Sequence, residues 1–172
     1  VRDSQGEPTG VLKDTAMGLV SRNVPDATFE QKLNAAAAAT EYAASLGVTS
    51  VQEAGTPDVG VYHELLRTGR LKTRIYAAGV LSLWQRQANA GIRAGFGSDM
   101  LRVGSLKGYS DGSLGSRTAW FFEPYHDDPQ TSGIPRADVL TTMKTDVASA
   151  DKNGLQVMIH AIGDRSNATI LD

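Results

Sequence analysis

With 172 residues, 41% of them hydrophobic, the chain can bury one sizeable core but is short for two, so a single globular unit is expected. Its 17 Lys and Arg residues nearly balance 19 Asp and Glu and no basic run occurs, which argues against a nucleic-acid partner. The lack of cysteine removes disulfides, thiolate metal sites and cysteine nucleophiles, and fits either a reducing or an oxidising compartment.

The chain opens with the polar, Gly/Pro-punctuated "VRDSQGEPTG", which carries no signal-peptide pattern, and nowhere does an apolar stretch approach the roughly 20 residues that span a bilayer. No membrane partner is expected. Residue 1 is Val rather than Met, and "ATILD" breaks off inside a helical pattern, so the expectation is an excised piece of something larger. "PDATFEQKLNAAAAATEYAASLG" reads as a long helix with Thr28 as N-cap, Gln31 closing a capping box and Gly47 at the C-terminal stop. Phe29, Leu33, Ala36, Thr40, Ala43 and Leu46 fall on one face, where the alanine run allows close approach to a sheet. "VTSVQEAG" follows as a short buried strand ended by Gly55. Thr56 then caps and Pro57 opens the helix "PDVGVYHELLRTG", which Gly69 ends. "TRIYAAGV" is the second strand, "SLWQRQANAGI" a weaker helix and "LRVGSLKGYSDG" the third strand. The polar loop "SLGSRTAWFFEPYHDDPQTSG" leads into the helix "RADVLTTMKTDVASADKNG", ended by Gly154, and "LQVMIH" is the fourth strand.

Strand and helix thus alternate along the chain, which predicts an α/β fold with a parallel sheet and outer helices. Four strands suit either a doubly wound sheet or half of an eight-stranded barrel. A complete barrel needs about 250 residues. In both arrangements functional groups gather at the carboxyl ends of the strands. Lys107 and His160 sit there. An inward lysine among small and apolar neighbours must be deprotonated, modified or paired; the alternative is a strand-end side chain that reaches solvent. His160 reads either as a hydrogen-bonded core histidine or as a neutral imidazole ligand for zinc or a related divalent ion. On successive strands, the two would lie close enough to share an ion. Asp111 opens "DGSLGSRTA", a glycine-containing stretch suited to a tight loop over a site, although it is no Walker or dinucleotide motif. Asp164 suits capping of the helix that follows His160, with orientation of that histidine as its other role. Arg117 suits a clamp on a substrate carboxylate or an ion pair with Glu123 or Asp127, the pair being favoured. His63 and His126 read as surface residues, and Glu53, near the end of its strand, is given no role.

Taken together, "RDSQGEPTGVL", "LGVTSVQEAG", "LKGYSDGSLGSRTAWFFEPYHDDP" and "VMIHAIGDRSN" resemble, in this order and over essentially the whole chain, the amidohydrolase superfamily, specifically the amidohydrolase 3 branch that contains N-substituted formamide deformylase-like enzymes. The specific parts are "DGSLGSRTAWF" and "HAIGDRSN". The resemblance implies a metal-bearing (β/α)8 barrel of TIM type with a small β-sandwich built from the two chain ends, and hydrolysis of C–N bonds in small amide-type substrates. It implies that Lys107 is the fourth-strand lysine, carboxylated to bridge two metal ions, and that His160 is the fifth-strand ligand. A bound divalent cation, zinc by expectation, makes hydroxide available near pH 7 and polarises the scissile carbonyl. Carboxylation would replace a buried cation with an anionic oxygen ligand.

The pattern also implies a His-x-His pair on the first strand, a histidine on the sixth and an aspartate on the eighth; none is found here, and the chain has only three histidines. Residues 1–172 are therefore expected to be the central part of such a barrel, about four parallel strands with outer helices, lacking its N-terminal and C-terminal parts. Alone it should be inactive and bind metal weakly, because catalytic zinc takes about three protein ligands. Two other readings are a non-catalytic α/β module in which Lys107, Arg117 and the "DGSLGS" loop bind a small anion, and a structural piece that associates with itself through open sheet edges.

Overall fold

The computed structural model describes residues 1–55 and 57–172; the expected cap Thr56 lies outside them. Four parallel strands form the sheet: β1 (Ser50–Glu53), β2 (Arg74–Val80), β4 (Leu101–Tyr109) and β5 (Gln156–His160), with β1 on β2, β2 on β4 and β4 on β5. They curl into half of a TIM-type barrel flanked by helices. A short strand β3 (Phe96–Gly97) pairs antiparallel with the start of β4, on the edge that β5 uses farther along. The helices are α1 (Gly18–Ser21), α2 (Phe29–Ser45), α3 (Val59–Arg67), α4 (Trp84–Asn89), α5 (Met143–Lys152) and α6 (Asp164–Leu171). No helix is long and apolar enough to cross a membrane among the described residues.

Local chemistry accounts for most boundaries. Thr28 accepts from the Gln31 amide while the Gln31 side chain accepts from the Thr28 amide, completing the capping box of α2. Gly47, Gly69 and Gly154 stand at positive φ just past α2, α3 and α5, where a side chain would be strained. Helix α3 starts at Val59 with Asp58 as N-cap, so Pro57 precedes the helix rather than opening it. Helix α5 begins at Met143, later than the expected 136. The Asp138 carbonyl accepts from the amides of Thr141, Thr142 and Met143, closing a tight turn that keeps 136–142 out of the helix.

The helices cover one face of the sheet. Leu33, Ala36 and Ala37 of α2 and Leu65 and Leu66 of α3 pack with Val51, Ile75, Ala77 and Leu101. The predicted stripe on α2 is buried only at its middle, since Phe29 and Leu46 at its ends are exposed. A second cluster joins Leu81, Trp84, Met143, Val147 and Ala150 to Leu106, Val157 and Ile159. Leu101 and Leu106 both face the helices although five residues separate them, which regular alternation forbids. The solution is a bulge: between the pairs Tyr76–Arg102 and Ala78–Ser105, one residue of β2, Ala77, runs against two of β4, Val103 and Gly104. Gly104, at φ +100°, is where it turns, and a Cβ there would come within 1.9 Å of the Arg93 carbonyl oxygen. The bulge decides where Lys107 points. In a regular strand Lys107 would share Leu101's face beneath the helices; past the bulge it joins Ser105 and Tyr109 on the inner face.

Candidate active site

Strand register puts the two expected ligands together. Lys107 is level with Met158, and Tyr109 with His160, so Lys107 and His160 share the inner face of neighbouring strands, one pleat repeat apart. Spacings of about 3.3 Å along a strand and 4.8 Å between strands separate their backbone positions by roughly 8 Å.

Lys107 lines a cavity of about 180 Å3 at the carboxyl ends of β2 and β4, together with Gly55, Val80, Ser82, Tyr109, Arg136 and Asp138. Its Nζ lies 4.7 Å from the centre of the Tyr109 ring, and no carboxylate pairs with it among the described residues. Burial holds its pKa below the ordinary lysine value. The neutral amine that burial favours is also the form that reacts with carbon dioxide. Arg136, Asp138 and Tyr109 were not picked out from the sequence: the first two lie in an irregular turn, and only the register aligns Tyr109 with His160. A larger hollow of about 520 Å3 between α3 and the β3–β4 hairpin is lined chiefly by apolar groups such as Leu66, Phe96, Leu101 and Val103, and neither Lys107 nor His160 reaches it.

The His160 side chain is 28% exposed. Its Nε2 lies 2.7 Å from the Gly112 carbonyl oxygen, and because a carbonyl only accepts, Nε2 carries the hydrogen, which in the neutral ring leaves the lone pair on Nδ1. No partner occupies Nδ1 among the described residues. Its ring also lies beside that of Tyr109, with centroids 5.5 Å apart. Asp111 is close by, with Oδ1 3.5 Å from Nε2 and its side chain at 0% exposure. Its carboxylate accepts from the amides of Trp120 at 2.9 Å, Ile162 at 3.1 Å and Gly163 at 2.8 Å. Asp111 thereby ties the end of β4 to the 113–121 loop and to the turn entering α6, and it is closed to direct contact with a solute.

The other candidates stand apart. Arg117, in the left-handed region at φ 59°, donates to Asp127 at 2.8 Å and Asp128 at 3.5 Å, and it does not line the Lys107 cavity. Gly163, not Asp164, is the N-cap of α6. Asp164 is the first helical residue, and its Oδ1 accepts from the Arg165 and Phe122 amides. Glu53 turns toward α3, accepting from the Gly55 amide and the Tyr62 hydroxyl. Tyr62 titrates above its ordinary range through burial and then through that carboxylate. His63 and His126 are exposed.

Among the described residues no three imidazole or carboxylate groups converge on a point. The donors on the inner face suit a divalent ion only in part: His160 offers a free Nδ1, and Lys107 becomes an oxygen donor only once carboxylated. Catalytic zinc takes about three protein ligands, so these two residues by themselves fall short of a ligand set.

Comparison with known proteins accords with the geometry. Two solved structures, each described as an uncharacterized metal-dependent hydrolase, superpose on nearly the whole chain. One, from Pyrococcus horikoshii OT3, gives a TM-score of 0.80 at 28% identity, covering 99% of this chain and 35% of that one. The other, from Pyrococcus furiosus, gives 0.79 at 30%, covering 99% and 36%. Protein LONG AFTER FAR-RED 3 of Arabidopsis thaliana is 34% identical over 187 residues, which is 100% of this chain and 32% of that protein. The chain spans about a third of the length of the curated relatives it matches. The model of the amidohydrolase family matches residues 1–172 from end to end, and the chain belongs to that family.

Proposed function

We propose that this chain is the central part of the barrel of a metal-dependent hydrolase that cleaves C–N bonds in small amide-type substrates. The observation that carries the reading is the register of β4 and β5, which sets Lys107 and His160 on one inner face at the carboxyl ends of adjacent strands, where barrel enzymes keep their chemistry. In this reading His160 would offer Nδ1 to the ion, and Lys107, once carboxylated, would supply an anionic carbamate as a further ligand. Zinc is the ion that best suits an imidazole and a carbamate oxygen. When bound, the ion supplies hydroxide near neutral pH and polarises the scissile carbonyl. Asp111 orients His160 from behind. Arg117 and Asp164 shape the surrounding loops through the amides and carboxylates they hold, in place of a direct clamp on substrate. With only these donors, the 172-residue chain by itself is inactive.

The test uses the longer protein that contains this segment, assayed on an N-substituted formamide and an N-acyl amino acid. Activity should vanish with a chelator and return with zinc. Lys107→Ala and His160→Ala should each lower kcat/KM by at least about a hundredfold, since even the groups that merely orient metal ligands account for 10–100-fold. Turnover that survives chelation, or either variant at full rate, would overturn the proposal, and so would turnover by the 172-residue chain alone for its inactivity.

A further inference from the structure

We infer that Ser110, Asp111 and Gly112 form a positioning device for His160 that fixes its tautomer and leaves Nδ1 as the one nitrogen free to bind. Three consecutive residues beyond β4 each touch this histidine. Ser110 donates to the His160 carbonyl from its amide at 2.9 Å and from its hydroxyl, holding the backbone. Gly112 takes the Nε2 hydrogen at 2.7 Å, holding the ring. Asp111 places a fully buried carboxylate oxygen 3.5 Å from the same nitrogen, so a negative charge also favours the hydrogen on that side.

The acceptor is itself fixed. A Cβ on Gly112 would meet Thr118 Oγ1 at 1.9 Å, so residue 112 can only be glycine with the turn packed this way. The turn is closed by Gly112 N–H to the Thr118 carbonyl, Thr118 N–H to the Ser113 carbonyl, and Ser113 N–H to Thr118 Oγ1. The carboxylate is fixed as well: the Trp120, Ile162 and Gly163 amides hold it at the start of α6, where the helix dipole favours an anion. "DGSLGSRT" is therefore built around a carbonyl that grips a histidine, and the amides of Gly112, Ser113, Ser116, Arg117 and Thr118 are taken up by acceptors inside the turn itself. Only the purpose of the free Nδ1 rests on the metal-ligand reading; the grip on Nε2 does not.

The test is a long-range 1H–15N correlation spectrum of the uniformly labelled 172-residue chain at a pH where imidazole is neutral. The expected result is a single tautomer with Nε2 protonated and an Hε2 proton that exchanges slowly enough to be seen. In Thr118→Ala, which removes the hydroxyl bond that closes the turn, Hε2 exchange should quicken about tenfold, the effect of one hydrogen bond. An Nδ1–H tautomer, an Hε2 that exchanges as in free imidazole, or an unchanged rate in Thr118→Ala would overturn the inference. Zinc chloride should then shift Nδ1 and leave Hε2 in place, whereas loss of Hε2 on adding zinc would overturn it. If zinc shifts nothing while Hε2 stays protected, the positioning device stands, and full activity of His160→Ala in the longer protein is the result that makes the metal-ligand reading fail.

Discussion

Replacing Asp111 with Asn keeps the shape of the side chain and removes its charge, at a position with 0% side-chain exposure. The native carboxylate accepts three amides, from Trp120, Ile162 and Gly163. A hydrogen bond to a charged group contributes about 1.5–3 kcal/mol. The Asn oxygen can still serve one or two of these amides, but its NH2 then faces a backbone N–H with no acceptor between them. Losing one charge-assisted bond and burying an unmatched donor should together cost about 3–5 kcal/mol. Against a typical total of roughly 5–15 kcal/mol that is a large share, equivalent to a fall in Tm of roughly 6–20 °C for a chain of this size. Urea unfolding followed by tryptophan fluorescence measures it, and Trp120, whose amide is one of the three donors, reports from the site. If Asp111→Asn loses less than about 1 kcal/mol with an unchanged m-value, the carboxylate is not the tie described here.

Thr28→Ala should cost about 1 kcal/mol by opening the capping box of α2, read by the same unfolding assay, whereas Gln31→Ala, which removes only the reciprocal bond, should cost less. Gly104→Ala should destabilise by roughly 2–5 kcal/mol, from left-handed strain together with the clash on the Arg93 carbonyl, and a neutral result would mean the bulge is not needed. Burial depresses the Lys107 pKa, so the folded chain sheds this proton before the unfolded one does. The charged ammonium disfavours folding below the folded pKa, and stability rises as pH climbs from there to the ordinary lysine value. Competitive acetylation with mass spectrometry should find Lys107 reacting faster than exposed lysines such as Lys72 at pH 8, and equal rates would contradict its burial. Among the described residues β1 and β5 each have one neighbouring strand, and Val80 and Tyr109 on the inner face are 39% and 42% exposed. The 172-residue chain should therefore associate with itself; sedimentation at high concentration that finds only monomer would refute this.

The α/β alternation, the parallel sheet and the long capped helix could all be read from the sequence because each rests on local chemistry: hydrophobic period, caps and stop glycines. Strand β3 could not, because two residues carry no period. The start of α5 was missed for a related reason. "RADVLTTM" has helical spacing, but the Asp138 carbonyl gathers three amides into a turn, and spacing does not record which acceptor an amide selects. Asp164 was read as a cap because residue type favours Asp over Gly there, whereas the chain turns into the helix one residue earlier, at Gly163.

The candidate site was legible in its residues and illegible in its orientation. Lys107 and His160 stood out as ionisable groups at strand ends, yet period-2 counting from Leu101, which packs under the helices, sends Lys107 to the wrong face. One extra residue at Gly104 reverses every side chain after it. Ser105, Lys107 and Tyr109 then turn inward, and Leu106 and Gly108 turn to the helices, where a Cβ on Gly108 would come within 2.9 Å of Ile159 and 3.0 Å of Leu81. The same reversal makes Tyr109 the neighbour of both Lys107 and His160, and it carries the end of β4 to the point where residues 110–112 can grip His160. A glycine that takes no part in the chemistry thus decides whether the lysine and the histidine meet on one face.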